Sequence, residues 1–233
     1  MQNKFEELTL PNNSEVSIKE NILIVKKWNW EYEDCLSFQK QAQQFIQRNR
    51  NLKVYIFCNH PHVFTLGRGN ERGVEGLVKL TPEQSQLVKY PIVPIHRGGG
   101  ITFHYPGQWI FYPIVALKES YSLEDLTNWL LKSVRDVLTT ELKLENVITA
   151  NRLMGVWMNK SKIASIGIGI SKFVTEHGLA LNLLNDEEMF LELKKINPCG
   201  IDPTTYITAE SQLSGTSENL IERFHQAFIQ SKI

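Results

Sequence analysis

Cysteine is scarce: Cys35, Cys58 and Cys199 stand far apart, with no CxxC and no Cys/His ligand spacing. This excludes a disulfide framework or a zinc finger and predicts a reducing, cytoplasmic setting. Net charge is missing too. Twenty-five Lys and Arg balance 25 Asp and Glu, so no general field attracts polyanions, and no basic stripe offers a nucleic-acid surface. No apolar run approaches the roughly 18 residues that a membrane span requires. Met1 to Ser17 carries Glu6, Glu7 and Glu15 without an apolar stretch, unlike a secretion signal or an acid-poor transit peptide. Also absent are G-x-x-x-x-G-K-[ST], a helix-opening G-x-G-x-x-G, H-E-x-x-H and G-x-S-x-G, and with them the usual support for nucleotide, hydride, zinc-protease and serine-hydrolase chemistry. No cofactor and no metal ion is expected.

What remains is an ordinary globular composition, 42% hydrophobic and 21% charged over 233 residues, predicting one domain over 1–233. Asn21–Val25 reads as a strand. Asp34–Arg50 reads as a helix whose face carries Cys35, Phe38, Ala42, Phe45 and Ile46. Val54–Cys58 is β-rich, and Tyr90–Ile95 is extended with Pro91 and Pro94 marking an edge. Trp109–Leu117 is the longest β-type run. Ser122, with Asp125 three residues on, starts a helix striped by Leu123, Leu126, Leu130, Val134, Val137 and Leu138. Gly155–Met158 and Lys162–Ile170 form a hairpin around Asn159–Ser161, its second strand alternating Ala164, Ile166, Ile168 and Ile170 with small residues. Gly178–Leu184 is the next strand, Leu220–Phe228 a C-terminal helix, and 185–215 a loop-rich stretch that carries Cys199. The fold class is α/β (α+β), a mixed, largely antiparallel sheet flanked by helices.

Three places carry candidate chemistry. In Arg97-Gly-Gly-Gly-Ile-Thr-Phe-His104-Tyr-Pro-Gly-Gln108, three glycines let backbone approach a ligand, although a simple turn with His104 bonded in a wall reads the same way. Lys162 is placed by alternation on the face of Ala164 and Ile166, where desolvation lowers a lysine's pKa toward neutrality; the alternative is a lysine reaching solvent from a strand end. Cys199, between Pro198 and Gly200, is presented by a loop rather than an apolar stripe, as a nucleophile or an idle surface thiol. Lys162 or His104 could favour its thiolate. Cys35 and Cys58 read as core residues. His60 and His62 flank Pro61 as a turn in preference to a metal pair, and His177 either lines the same pocket or caps the sheet.

These blocks resemble the octanoyltransferases of lipoate biosynthesis. The resemblance runs from about Cys35 to Gln212 through His60-Pro-His-Val-Phe-Thr-Leu-Gly-Arg68, the Arg97–Gln108 segment with Tyr112-Pro-Ile114, Gly155-Val-Trp157, Lys162-Ile-Ala-Ser-Ile-Gly167, His177-Gly-Leu-Ala-Leu-Asn182 and Asn197-Pro-Cys-Gly-Ile201, all in the family's order. It implies the biotin and lipoate protein ligase fold, an acyl-thioester on Cys199, and Lys162 as its proton partner. It also implies a substrate pocket lined by Arg97, Gly98, Gly99, Gly100, Ile101, Thr102, Phe103 and His104, by Ser165, Ile166 and Gly167, and by Gly178, Leu179 and Ala180. An acyl group calls for a narrow apolar tunnel, since each buried methylene contributes about 0.8 kcal/mol, and glycine-segment amides could hold the oxyanion. The implied donor is octanoyl-acyl carrier protein, received by a patch such as Arg68, Arg72 and Lys172. The implied acceptors are apo-lipoyl domains of 2-oxoacid dehydrogenase complexes and the glycine-cleavage H protein, with no ATP required. The sequence departs from the family at Tyr105, where a glycine is expected, and at 150–154, which lack a proline. The competing expectations are an ATP-dependent lipoate or biotin protein ligase, which does not need Cys199, and a non-catalytic lipoyl-domain binding module.

Overall fold

The computed structural model describes residues 4–69, 80–150, 154–196, 205–214 and 217–233. In chain order its first half comprises β1 (Glu15–Lys19), β2 (Ile22–Lys27), α1 (Tyr32–Arg48), β3 (Lys53–Cys58), β4 (Val63–Leu66), α2 (Pro82–Leu87), β5 (Ile92–Pro94), β6 (Ile101–His104) and β7 (Gln108–Ile114). There follow α3 (Leu123–Thr140), β8 (Val147–Ala150), β9 (Gly155–Met158), β10 (Ser161–Ser171), β11 (Val174–Asn182), α4 (Glu187–Ile196) and α5 (Leu220–Lys232). Eight strands form one sheet in the order β1-β2-β3-β7-β11-β10-β9-β8, and β5-β4-β6 form a smaller one. The pairs β2 with β3 and β4 with β5 run parallel; the other strand pairs are antiparallel. Among the described residues no helix is long and apolar enough to cross a membrane.

The large sheet separates two apolar cores. Along β3 and β7, Tyr55, Phe57, Trp109 and Phe111 turn to one side, where they meet Leu130 and Val134 of α3 and Phe224 and Phe228 of α5. Val54, Ile56, Ile110 and Ile114 turn to the other, against Cys35, Phe38, Ala42, Phe45 and Ile46 of α1. Covering on both faces explains why these strands read as unbroken apolar runs instead of alternating ones. Cys35 and Cys58 are fully buried, as their sequence positions predict. At the start of α3, Ser122 Oγ accepts from the Asp125 amide at 3.2 Å while the Asp125 carboxylate accepts from the Ser122 amide at 2.8 Å, a complete capping box. β5 lies at an edge, which tolerates Pro94.

A third core lies between the small sheet and α4, where Phe64, Ile101 and Phe103 pack on Met189, Leu193 and Ile196. Within 185–215, expected to be loop-rich, the described residues include α4 and a short 3-10 turn, Glu210–Gln212. The helical signal is present in the sequence: Met189, Leu193 and Ile196 fall at i, i+4 and i+7, with Glu187 and Glu188 in the first turn and Lys194 and Lys195 in the last.

His225 of α5 is buried edge-on to Trp28 and Phe57, with Nδ1 lacking a partner among the described residues. Burial pulls its pKa down to about 4, with Glu222 and Lys26 beside it. An unfolded histidine titrates near 6.5, so between about pH 6.5 and 4 the unfolded chain binds more protons and stability falls as pH drops. His225→Phe should flatten that fall by up to about 1.4 kcal/mol per pH unit; urea melts at stepped pH measure it.

Candidate active site

The β9–β10 hairpin contains one extra residue. Lys162 pairs with Trp157, but Ala164 pairs with Val156, so Ile163 bulges between them. Paired residues share a face, and Val156, Met158, Ile163, Ala164 and Ile166 belong to the α3–α5 core. The bulge thus turns Lys162 away from Ala164 and Ile166, correcting the alternation argument. It lies beside Trp157, 5% exposed, its Nζ 5.7 Å from the indole centroid. Gly155 makes room for its stem: a Cβ there would stand 2.7 Å from Lys162 Cε and collide with the Ala164 carbonyl. On the backbone side, the Lys162 carbonyl accepts from the Ile207 amide at 3.1 Å, and Lys162 bridges in parallel to Tyr206.

Farther along the same face, Ser165 and Gly167 of β10 lie opposite Ala180 and Gly178 of β11. These small residues form the floor of a pocket whose wall comes from elsewhere: Tyr32 of α1, Tyr112 of β7, Thr102 and His104 of β6, and Arg97. Alternation along β6 sends Thr102 and His104 to the pocket and Ile101 and Phe103 to the core beneath α4. The Arg97 stem lies against Gly167, where a Cβ would meet its Cδ at 3.0 Å. The remaining cavity is about 30 Å³, room for roughly one water. An apolar tunnel was expected; the structure instead joins a small-residue floor to a polar, aromatic wall.

Hydrogen bonds fix the protons of that wall. The Arg97 guanidinium donates to Thr65 Oγ1 at 2.9 Å, to Thr102 Oγ1 at 2.7 Å and to the Gly98 carbonyl at 2.8 Å. Thr65 in turn donates to His104 Nε2 at 3.1 Å, and His104 Nδ1 donates to Gln108 Oε1 at 2.7 Å. The Gln108 amide is oriented by donating to the Phe103 carbonyl and Asn182 Oδ1. His60 Nδ1 donates to the Trp30 carbonyl at 2.7 Å, leaving Nε2 to accept from the Tyr112 hydroxyl at 3.2 Å. Burial holds these imidazoles neutral, lowering His60 to about 4, His177 to about 3 and His104 well below its usual range. Neutral imidazoles and a cationic Arg97 make this wall a poor site for a second positive charge.

The other expected site residues divide by position. Ile166 and Leu179 line the pocket with their neighbours; Gly98, Gly99, Gly100, Ile101 and Phe103 do not. The glycine run is instead a crossing between sheets: the Gly98 amide donates to the Ile168 carbonyl at 3.2 Å, and Gly67 and Gly69 donate to the Gly100 and Gly99 carbonyls. The Gly98 amide is consequently engaged rather than open to an oxyanion. Gly99 adopts φ +79°, which its lack of a Cβ permits. Tyr105 packs in the core under α4 and donates to the Leu184 carbonyl at 3.2 Å, so this departure leaves the pocket wall alone. His62 pairs with Asp186 at 2.9 Å, away from His60. Arg68 binds His96, and Lys172 is exposed. Cys199, Arg72 and residues 151–153 lie outside the described residues. Thr65, Tyr32 and Tyr112 were missed as site residues; Thr65 and Tyr112 sit inside motif blocks, whereas Tyr32 has no local signal.

The chain matches the lipoyl protein ligase A/B catalytic domain over residues 31–229. It belongs to that family. Within it, the chain is similar to the chloroplastic octanoyltransferase LIP2p2 of Arabidopsis thaliana, 34% identical over 181 residues, covering 76% of this chain but 59% of that enzyme. It is also similar to an octanoyltransferase of Bacteroides fragilis, 38% identical over 202 residues and covering 82% of this chain and 83% of that one. In fold it is like the bi-partite lipoate protein ligase of Thermoplasma acidophilum, with TM-score 0.64 and 12% identity, covering 92% and 82% of the two chains. The mixed sheet with flanking helices is thus the ligase-type fold that the motif blocks imply.

If Gly155 exists to admit the Lys162 stem, Gly155→Ala should destabilise the chain by about 1–3 kcal/mol, the usual cost of overpacking. Adding Lys162→Ala should recover part of the loss, measured by paired urea melts.

Proposed function

We propose that this family member moves an octanoyl group from an acyl carrier protein thioester to the target lysine of an apo-lipoyl domain, through an acyl-thioester on Cys199 with Lys162 as proton carrier. The observation that carries the pairing is the Lys162–Tyr206 bridge. Cys199 lies seven residues before Tyr206 and three after Ile196, so the chain length keeps it within at most about 25 Å of Tyr206. Lys162 is a buried cation on the face of the pocket floor, and Trp157 keeps its ammonium beside an indole instead of bulk water.

The Cys199 thiolate attacks the thioester carbonyl, and the carrier's thiol departs with a proton from the Lys162 ammonium. The amine of the target lysine then attacks the acyl-enzyme. Its proton passes to the neutral Lys162 amine as the Cys199 thiolate leaves, and an amide results. A thioester already carries the activation, so ATP has no part. The hydrocarbon chain lies along the Ser165–Gly167 and Gly178–Ala180 floor, taking the place of the Arg97 stem. Acceptors are lipoyl domains of 2-oxoacid dehydrogenase complexes and the glycine-cleavage H protein.

Intact mass after mixing with octanoyl-acyl carrier protein should reveal one octanoyl group, mapped by peptides to Cys199 and absent in Cys199→Ala. Acylation at Cys35 or Cys58, or transfer that depends on ATP, would sink the assignment. Lys162→Arg should lose about 10²- to 10⁴-fold in transfer, because guanidinium does not give up a proton near neutral pH. Equal rates in wild type and Lys162→Arg would leave the lysine with an electrostatic part only.

A further inference from the structure

Among the described residues, the pocket wall has two polar atoms with no hydrogen-bond partner, Tyr32 Oη and His177 Nε2. The side-chain nitrogens and oxygens of His60, His104, Thr65 and Tyr112 around them are bonded, so the two orphans stand out in a wall that is otherwise satisfied. Both rings are held in place. Tyr32 stacks on His104, with centroids 5.8 Å apart, and meets His60 edge-on at 5.0 Å. His177 stands edge-on to Tyr112, and its amide donates to Gln39 Oε1 at 2.8 Å. Its φ of +59° is a left-handed conformation that non-glycine residues seldom adopt, so its ring is aimed by the backbone at some strain.

Register places His177 at the far end of the floor, and Tyr32 lines the same pocket. Moving along β10 from Lys162, one passes Ser165 opposite Ala180, then Gly167 opposite Gly178, then Ile168 opposite His177. An acyl chain whose carbonyl lies at Lys162 therefore runs toward His177, and the cavity that Tyr32 and His177 line together with the floor has room for about one water. Burial holds the Tyr32 phenol protonated and the His177 imidazole neutral, so the end of the trough offers uncharged donors and acceptors.

Resting on the octanoyl-transfer reading, we propose that Tyr32 and His177 determine acyl-chain specificity as a polar end stop that holds a water molecule. A longer chain must displace that water and leave both atoms buried and unbonded, a loss greater than one or two further methylenes regain. A chain of the same reach ending in a hydroxyl replaces the water and keeps the bonds.

The test uses the full chain, with transfer from octanoyl, decanoyl and 8-hydroxyoctanoyl thioesters measured beside calorimetric binding of the three free acids. Wild type should prefer octanoyl and 8-hydroxyoctanoyl over decanoyl. Tyr32→Phe, which keeps the ring, should raise the decanoyl-to-octanoyl ratio about 5- to 100-fold and lower relative use of the hydroxylated chain. His177→Asn, suited to the left-handed backbone, should shift both ratios the same way. If both variants keep the wild-type ratios in transfer and in binding, the end stop is overturned. If the ratios shift in binding while wild type transfers no acyl group, the end stop stands and the transfer reading falls.

Discussion

A single buried line of hydrogen bonds, every donor pointing the same way, ties the parts of the site together. It runs from Arg97 through Thr65, His104 and Gln108 to Asn182. Asn182 Nδ2 then donates to the Ile207 carbonyl, and the Ile207 amide donates to the Lys162 carbonyl. The line crosses from β4 and β6 of the small sheet to β7, β11 and β10 of the large one. Buried bonds of this kind polarise one another, and an interrupted line leaves costly unsatisfied groups. The positions of the pocket wall and of Lys162 are therefore coupled through polar groups, although the two stand on different sheets.

The apolar cores explain why such a line is affordable. Trp109, Phe111, Phe224 and Phe228 cluster on one face of the large sheet, with ring centroids 5.0–6.4 Å apart, and the α1 core closes the other face. Between them β7 and β11 are buried along their whole length. The central strands are thus a rigid support, and the floor built on β10 and β11 inherits that rigidity.

Elements with long periodic patterns were legible in the sequence: α1, α3, α5 and the β9–β10 hairpin appear where the apolar spacing placed them. Strands of three or four residues, such as β4, β5 and β8, are too short to show a period. The motif blocks named the whole floor and Arg97, Thr102 and His104 of the wall. They could not name Tyr32, which reaches the pocket from a helix start distant in sequence, or show that β6 sends only Thr102 and His104 inward. They were silent on the Ile163 bulge, because a bulge changes pairing without leaving a compositional mark. Alternation alone therefore assigned Lys162 to the wrong face.

That bulge has an evolutionary side. Deleting one residue from a strand ordinarily reverses the side chains beyond it, but removing Ile163 would regularise the β9–β10 pairing. The hairpin would gain an even ladder, and Lys162, still paired with Trp157, would keep the face it shares with Gly155. The extra residue thus adds one buried apolar side chain, Ile163, to the core without moving the lysine from its face. Relatives aligned across this strand should be compared by length before they are compared by letter.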